Sequence, residues 1–219
     1  MSRSRLSRLC LALAAAGVSR LAAQGGGLSP AAAISVVQTR VRSELPGRTD
    51  QFSGAALGGQ GSVSLGRLDL SVSYVQGKID PVAASGPGHD LVEGSMLLGI
   101  HPTSWLRLAT GPHARAYALT GGTQRWVFWE LRLRAAGAFI GSAARGYVEL
   151  WRALSASVNV PEPFDHAQGG EAGMVVHLAR APLDLRLAYR IDHAVLGGGT
   201  RLETVDGVVV AVGLSGVGR

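Results

Sequence analysis

The chain has 219 residues, of which 47% are hydrophobic and only 16% are charged, with a mean hydropathy of +0.21. A typical soluble domain carries about 25% charged residues, yet no stretch here reaches the roughly 18 consecutive apolar residues of a membrane-spanning helix. The 21 Lys and Arg against 15 Asp and Glu give a net charge of +6, and four of those Arg lie in residues 1–23, so the rest of the chain carries only +2. Composition therefore gives no support for a nucleic-acid-binding protein, which needs a basic face.

Residues 1–23 have the pattern of a cleavable secretory signal peptide. Arg3, Arg5 and Arg8 form a basic start, 9–18 is apolar, and small residues lead to a cleavage point after Ala23. The apolar stretch is too short to span a membrane, which disfavours an N-terminal anchor. The single cysteine of the chain lies in this segment, so disulfides, thiol catalysis and cysteine-bound zinc are excluded for the remainder. We divide that remainder into a Gly-rich linker, 24–31, and a β-barrel domain, 32–219.

Beyond the linker, the apolar residues are spread out with a period of two, the pattern of strands with two different faces. In 183–192, Leu185, Leu187 and Tyr189 alternate with Arg186 and Arg190, and similar alternation marks three other segments. Six weaker segments bring the number of predicted strands to ten, an even number as expected for a closed bacterial barrel. The predicted strands are, in chain order, 32–43, 52–65, 68–77, 91–100, 105–118, 126–136, 143–157, 171–180, 183–192 and 208–215.

The predicted connections between these strands alternate in length. Short turns at one rim and long loops at the other are typical of outer-membrane barrels, whereas a soluble sandwich need not sort its loops in this way. With the N-terminus on the inner side of the membrane, every long loop falls on the outside. The tight turns are 66–67, 102–104, 141–142 and 181–182, and the longer polar loops lie near 44–51, 80–90, 119–124, 158–170 and 194–201.

One segment, 143–157, permits two interpretations. Its large apolar residues have helical spacing, whereas a strand aligns Leu150, Leu154 and Ala156 with Arg152 on the lipid side. A charge on that side costs roughly 2–4 kcal/mol at mid-bilayer and much less near the interface. The alternation of connection lengths favours a strand, and a helix would leave a barrel of eight strands.

The residues opposite the apolar faces are predicted to point into the barrel and to form a network of ion pairs. A ten-stranded barrel is narrow, since eight strands are just filled by side chains and open channels need about sixteen. Such a network has a structural role when its buried charges are paired; alternatively, its arginines form a constriction that passes small anions. The candidate residues are Arg107, Arg115, Glu130, Arg132, Arg134, Asp184, Arg186, Arg190, Asp192 and Glu203, and Arg40, Asp69 and Glu93 are also predicted to point inward.

No residue is predicted to be catalytic, to bind a cofactor or to hold a metal. The six histidines lack the spacing of a metal motif such as HExxH, and no GxSxG serine motif occurs. His101 is predicted to lie in a turn. Asp192 and His193 are the candidate acid and base of a hydrolase, but adjacent residues of a strand point to opposite faces.

The signal peptide, the alternating strands and the sorted connections resemble those of small bacterial outer-membrane β-barrel proteins, over essentially all of the chain after the signal. The resemblance is one of pattern, and no motif carries functional residues over. It implies an all-β fold, a single closed antiparallel up-and-down transmembrane barrel in the outer membrane of a Gram-negative-type bacterium, reached through the general secretory pathway. The partners it implies are outer-membrane lipid and the barrel-assembly machinery, with no nucleic acid and no cofactor, for a monomeric protein.

We expect a non-enzymatic protein with a structural role, a surface-binding role through its outer loops, or a narrow porin-like channel. Two alternatives stay open. An exported soluble β-sandwich or β-barrel that binds a small ligand would be found in the soluble periplasmic fraction. An outer-membrane barrel hydrolase would bring a serine, a histidine and an acid together near the outer rim.

Overall fold

The computed structural model describes residues 27–82, 88–119, 122–141, 143–178 and 181–215. The predicted signal peptide, 1–23, lies outside the described residues. Within them, ten antiparallel strands close into one up-and-down barrel, which confirms the predicted fold class. The strands are β1 (Leu28–Leu45), β2 (Arg48–Leu65), β3 (Leu68–Pro81), β4 (His89–Thr103), β5 (Leu106–Leu119), β6 (Gly122–Ile140), β7 (Ala144–Val158), β8 (Phe164–Leu178), β9 (Leu183–Leu196) and β10 (Arg201–Ser215).

The barrel closes because β1 pairs with both β2 and the last strand. Val37 lies opposite Ala56 on β2 and opposite Val209 on β10. Every strand therefore has a hydrogen-bonded neighbour on each side, and the wall has no free edge. We call the end that holds Leu28 the N-terminal rim and the opposite end the far rim.

Helical structure in the described residues is limited to one short 3₁₀ turn, Gly197–Gly199, before β10. None of it is long and apolar enough to cross a membrane.

Strand β1 begins inside the segment that was predicted as a linker, so that prediction is wrong for residues 28–31. Leu28 pairs with Leu65 of β2, and Pro30 pairs with Val63. Proline has no N–H to give to a ladder and is confined to edges of sheets. Pro30 lies next to Ala31, whose pair with Ser215 is the last one between the described residues of β1 and β10.

The connections at the far rim are shorter than predicted. Strands β1 and β2 join through Pro46 and Gly47 alone, and Gly47 has a φ of +73°, which suits the position after proline in a type II turn. Residues of the predicted loops 44–51, 119–124, 158–170 and 194–201 belong largely to strands. Polar residues there continue the strands on a face that meets water, so polarity does not mark where a strand ends.

The ambiguous segment 143–157 is a strand, β7, so the alternatives of a helix and of an eight-stranded barrel are wrong. Arg152 points outward and is exposed, as a strand requires. A bulge interrupts the pairing beyond Arg152, because Ser155 and Ala153 lie opposite the adjacent residues Trp129 and Glu130. The extra residue inverts the alternation. Ala156 therefore turns inward to pack on buried residues, against the prediction that it faces lipid.

In the half of the barrel next to the N-terminal rim, the outward face is apolar and the inward face is polar. Leu70, Leu131, Leu187 and Val210 are each 45–51% exposed on the outside. The side chains that alternate with these along each strand, such as Asp69 on β3, point inward. The predicted faces of the segments at 68–77, 126–136 and 183–192 are confirmed, and those of 208–215 are confirmed up to Leu214.

In the half next to the far rim, the polarity of both faces is reversed. On β1, Arg40 and Arg42 are exposed on the outside while Val41 is fully buried inside. The prediction that Arg40 points inward is wrong, because the interior at this level is an apolar core. Arg40 instead lies opposite Asp206 on the outer face, where Asp206 accepts a hydrogen bond from the Tyr189 hydroxyl.

Candidate functional site

Buried apolar and aromatic side chains fill the lumen of the far half. The rings of Trp126 and Phe128 lie 5.8 Å apart, and Phe128 lies 5.9 Å from Trp151 on the next strand. Packing of this kind leaves few voids as large as a water molecule. We call this cluster the far plug; its larger members are Val41, Phe52, Ile79, Leu91, Tyr117, Trp126, Phe128, Trp151, Leu196 and Val205.

Charged side chains fill the middle of the lumen directly below the far plug. Arg115 contacts Asp192 and donates a hydrogen bond to Glu93 at 3.2 Å. Arg190 donates to Glu93 at 2.6 Å and to Asp192 at 3.4 Å. Trp151 of the plug donates its indole N–H to Asp192 at 2.8 Å. The two carboxylates thus hold two arginines and anchor the plug to the charged layer.

His113, on β5 with Arg115, connects Glu93 of β4 to Glu130 of β6. Its Nε2 lies 3.2 Å from Glu93, and its Nδ1 lies 3.0 Å from Glu130. Glu130 accepts from Arg132 at 2.6 Å, and Arg132 also donates to Glu149 at 2.8 Å. We call the connected set the central ion network; its members are Glu93, His113, Arg115, Glu130, Arg132, Glu149, Arg190 and Asp192.

Of the ten predicted inward residues, Arg115, Glu130, Arg132, Arg190 and Asp192 lie in the central ion network. Arg134 lies at its margin, with Nη1 4.0 Å from Glu149. The remaining four point inward but belong to other groups.

Two of these groups lie between the network and the N-terminal rim. Arg107 donates to Asp69 through Nη2 at 2.6 Å and through Nε at 3.0 Å. Arg186 contacts Glu171 and donates to the Tyr147 hydroxyl at 2.6 Å. Both arginines are therefore held by a carboxylate of their own.

The last two predicted residues lie near the rims. Asp184 pairs with His177 at 2.9 Å at the N-terminal rim. Glu203 lies beside the far plug, where it accepts hydrogen bonds from Ser43 at 2.8 Å, Arg201 at 2.8 Å and Tyr117 at 3.1 Å. Sequence reasoning placed both residues inward without indicating that they stand apart from the network.

A cavity of about 480 Å³ occupies the lumen between the central ion network and the N-terminal rim. Its lining reaches Ser104 and Trp105 in the turn after β4, and it ends at Glu93 and Arg190 of the network. We call it the N-terminal cavity. The central ion network and the far plug lie beyond it, toward the far rim.

The geometry provides inward histidines with carboxylate partners but no nucleophile beside them. His101 lies within β4 rather than in the predicted turn, and its Nε2 is 3.0 Å from Asp69. In the described part of the chain, no serine or threonine hydroxyl is hydrogen-bonded to His101, His113 or His177. A hydrolase of the serine type needs such a contact. Asp192 points inward while His193 bonds Thr204 on the outer side, so the two side chains diverge.

Sequence reasoning missed several residues of the lumen. Glu149 and Glu171, on β7 and β8, belong to two of the six segments with weaker alternation. Tyr147 is also part of the lumen, because its ring lies 3.8 Å from the Arg134 guanidinium and its hydroxyl donates to Glu171. A period-two count carried through 143–153 would have placed Tyr147 and Glu149 on the inward face.

Among the described residues, no group of three His, Cys, Asp or Glu is arranged to hold a metal ion.

Comparison with known proteins finds solved structures that share this fold. No protein-family model and no curated protein matches the sequence. The outer membrane protease OmpT from Escherichia coli is 8% identical with a TM-score of 0.53, over 86% of this chain and 96% of that one. The translocator domain of the autotransporter NalP from Neisseria meningitidis is 12% identical with a TM-score of 0.48, over 96% of this chain and 97% of that one. At these identities the likeness to OmpT shows the fold alone: the chain has the closed β-barrel fold of outer-membrane proteins.

Proposed function

We propose that this chain is an integral protein of the outer membrane of a Gram-negative bacterium, non-enzymatic, with a bore that does not conduct. The observation that carries the proposal is the apolar outer face of the N-terminal half. Its leucines and valines are about half exposed around the barrel. Soluble monomers rarely expose contiguous apolar patches larger than a few hundred Å², so lipid is the solvent that suits this face.

The height of the apolar face agrees with a bilayer. On β9 it runs from Leu183 to Ile191, eight steps that span roughly 20 Å along the barrel axis at ~3.3 Å per residue and a tilt of ~40°. An outer-membrane barrel presents an apolar band about 25 Å tall, with aromatic residues at both borders. Trp105 and Phe139 lie exposed near the N-terminal rim, and Tyr74 and Tyr189 lie at the other border. The Tyr74 and Tyr189 hydroxyls donate to Gln76 and Asp206, on the polar side.

This placement implies an orientation and a set of partners. The N-terminal rim faces the periplasm, lipid surrounds the N-terminal half, and the far half projects outward as a water-exposed cap with an apolar core. Export by the general secretory pathway, insertion by the barrel-assembly machinery and a monomeric state belong to the same proposal. The protein then acts as a structural or surface-binding element. Because the far-rim connections are short, the surface that it offers to a partner is that of the projecting far half.

Membrane fractionation tests the location. We expect the protein in the outer-membrane fraction, released only by detergent, and migrating faster on a gel before boiling in SDS than after. Recovery as a soluble periplasmic protein would contradict the proposal and favour the alternative of a soluble ligand-binding barrel.

Conductance across a planar lipid bilayer tests the closed bore. We expect no steady conductance from the natural chain, because the far plug fills the lumen. The double variant Trp126→Ala and Phe128→Ala removes two plug rings and is expected to raise the conductance. Steady conductance of the natural chain would favour the narrow channel instead, and hydrolysis of a lipid or peptide substrate would favour the hydrolase.

A further inference from the structure

The N-terminal cavity has two chemically different walls. Serines line the wall formed by β1–β4, together with Asp69 and Glu93, and arginines line the wall formed by β5–β9, together with Glu149 and Glu171. If this part of the lumen had only a structural role, packed side chains could fill it, as they do in the far plug. The serines are Ser35, Ser62, Ser64, Ser71, Ser73 and Ser95, and the arginines are Arg107, Arg132, Arg134, Arg145, Arg186 and Arg190.

Two of these arginines, Arg134 and Arg145, have no carboxylate at hydrogen-bond distance among the described residues. Arg107, Arg132, Arg186 and Arg190 each have a carboxylate at hydrogen-bond distance. Every Asp and Glu of the chain lies in its described part, and none of them comes within 4.0 Å of Arg145 there. Arg134 reaches Glu149 only at 4.0 Å, and the other oxygen of that carboxylate already accepts from Arg132.

Arg134 and Arg145 also occupy suitable positions. Arg134 points inward on β6 and is held over the Tyr147 ring at 3.8 Å. Arg145 points inward at the start of β7, next to the N-terminal rim, two residues before Tyr147. A guanidinium presents a planar fork of donors that matches phosphate and carboxylate oxygens. Both guanidinium groups therefore line the cavity, with Arg145 nearer the N-terminal rim.

We propose that the N-terminal cavity binds a small phosphorylated sugar or polyol that enters from the N-terminal rim. Arg134 and Arg145 hold its phosphate, and the serine wall holds its hydroxyl groups. A volume of about 480 Å³ lies within the range of roughly 300–1,000 Å³ of small-molecule sites. The proposal goes beyond the proposed function, because a closed membrane barrel requires no ligand.

Calorimetric titration of the refolded, detergent-solubilised chain tests the proposal with three compounds: glucose 6-phosphate, inorganic phosphate and glucose. We expect glucose 6-phosphate to bind more tightly than either of the others. The double variant Arg134→Gln and Arg145→Gln should weaken its binding by about tenfold or more, since each lost guanidinium removes a charge-assisted hydrogen bond. The control Arg40→Gln, on the outer face of the far half, should bind as the natural chain does.

Three results would overturn the proposal: no binding of glucose 6-phosphate at millimolar concentration, equal affinity for inorganic phosphate, or undiminished binding by the double variant. Heat-dependent gel mobility checks that each variant is folded. If the double variant does not fold, phenylglyoxal modification of the natural chain replaces it. Glucose 6-phosphate should then slow modification of Arg145 more than glucose does, and equal rates would reject the site.

Discussion

Glu130 is a charged side chain with 0% exposure in the middle of the lumen. Removing a carboxylate from water is costly unless its oxygens are paired and hydrogen-bonded. Glu130 meets this requirement with Arg132 at 2.6 Å and His113 at 3.0 Å. Its neighbours depend on it in turn, because Arg132 and His113 would each lose a carboxylate contact.

We expect Glu130→Ala to lower the free energy of unfolding by about 3–5 kcal/mol, the cost of breaking a buried ion pair by removing one partner. The measurement is a guanidinium titration of the refolded barrel followed by tryptophan fluorescence. The control is Glu44→Ala, which removes the exposed partner of Arg42 and should cost about 0–1 kcal/mol. Equal effects of the two variants would show that the lumen charges are as well solvated as the surface pair.

Single residues also show where sequence reasoning fails. Alternation identified Leu187 as outward and Arg190 as inward because β9 has an apolar outer face and a polar lumen side at that level. The same rule misplaced Arg40, where water lies outside and an apolar core lies inside. A strand sequence gives the alternation but not which solvent meets each face.

At the scale of strands, inward glycines let neighbouring strands bend toward each other. A Cβ built on Gly77 of β3 would lie 2.5 Å from the Ala55 carbonyl oxygen and 2.5 Å from Ala56 Cα on β2. Those are backbone atoms that cannot move without shifting the strand. Glycine at such positions permits the curvature and close approach that a narrow barrel needs.

We expect Gly77→Ala to destabilise the barrel by about 1–3 kcal/mol through overpacking, seen as a lower denaturation midpoint in the same titration. Gly61→Ala on β2 is the matched control, because a Cβ there meets nothing within 4 Å. That variant should unfold at the same midpoint or slightly later. A Gly77→Ala barrel as stable as the control would show that the two strands are not held this closely.

Strand number was predictable, whereas strand ends and the bulge were not. Ten strands are indicated by the period-two segments and by the glycine and proline residues that separate them. The bulge in β7 depends on the pairing of Ser155 and Ala153 with β6, and a single strand sequence carries no information about its neighbour's register. Strand ends at the far rim were misplaced because the strands continue through segments whose outer face is polar.

Across the whole molecule, the polarity of both barrel faces inverts at one level along the axis. The N-terminal half is apolar outside and polar inside, and the far half is polar outside with the far plug inside. This inversion predicts whether a charge introduced on the outer face lies in lipid or in water.

We expect Leu133→Arg on β6 to cost about 2–4 kcal/mol, because Leu133 lies between Leu108 and Leu150 in the apolar face. Thr123→Arg lies on the same strand and the same face but in the far half, and should cost about 0–1 kcal/mol. The measurement is the free energy of unfolding from lipid vesicles. Similar costs at both positions would contradict a membrane border between them.

The sequence predicted the closed barrel but not the candidate site as a whole. Parity placed the ten candidate residues on the inward side of their strands. It could not divide them among a plug, a network and a cavity, because those groupings depend on contacts between strands far apart in sequence, such as Arg115 with Asp192.

Spin labels along the outer face of β1 test the inversion most directly. Single cysteines would replace Ile34, Val36, Gln38, Arg40 and Arg42 in turn, in a chain with Cys10→Ser, reconstituted in lipid vesicles. We predict that labels at 34 and 36 collide mainly with oxygen dissolved in lipid, and that labels at 40 and 42 collide mainly with a water-soluble nickel complex. Nickel-dominated collisions at all five positions would contradict membrane insertion, and oxygen-dominated collisions at all five would contradict a far half that projects into water.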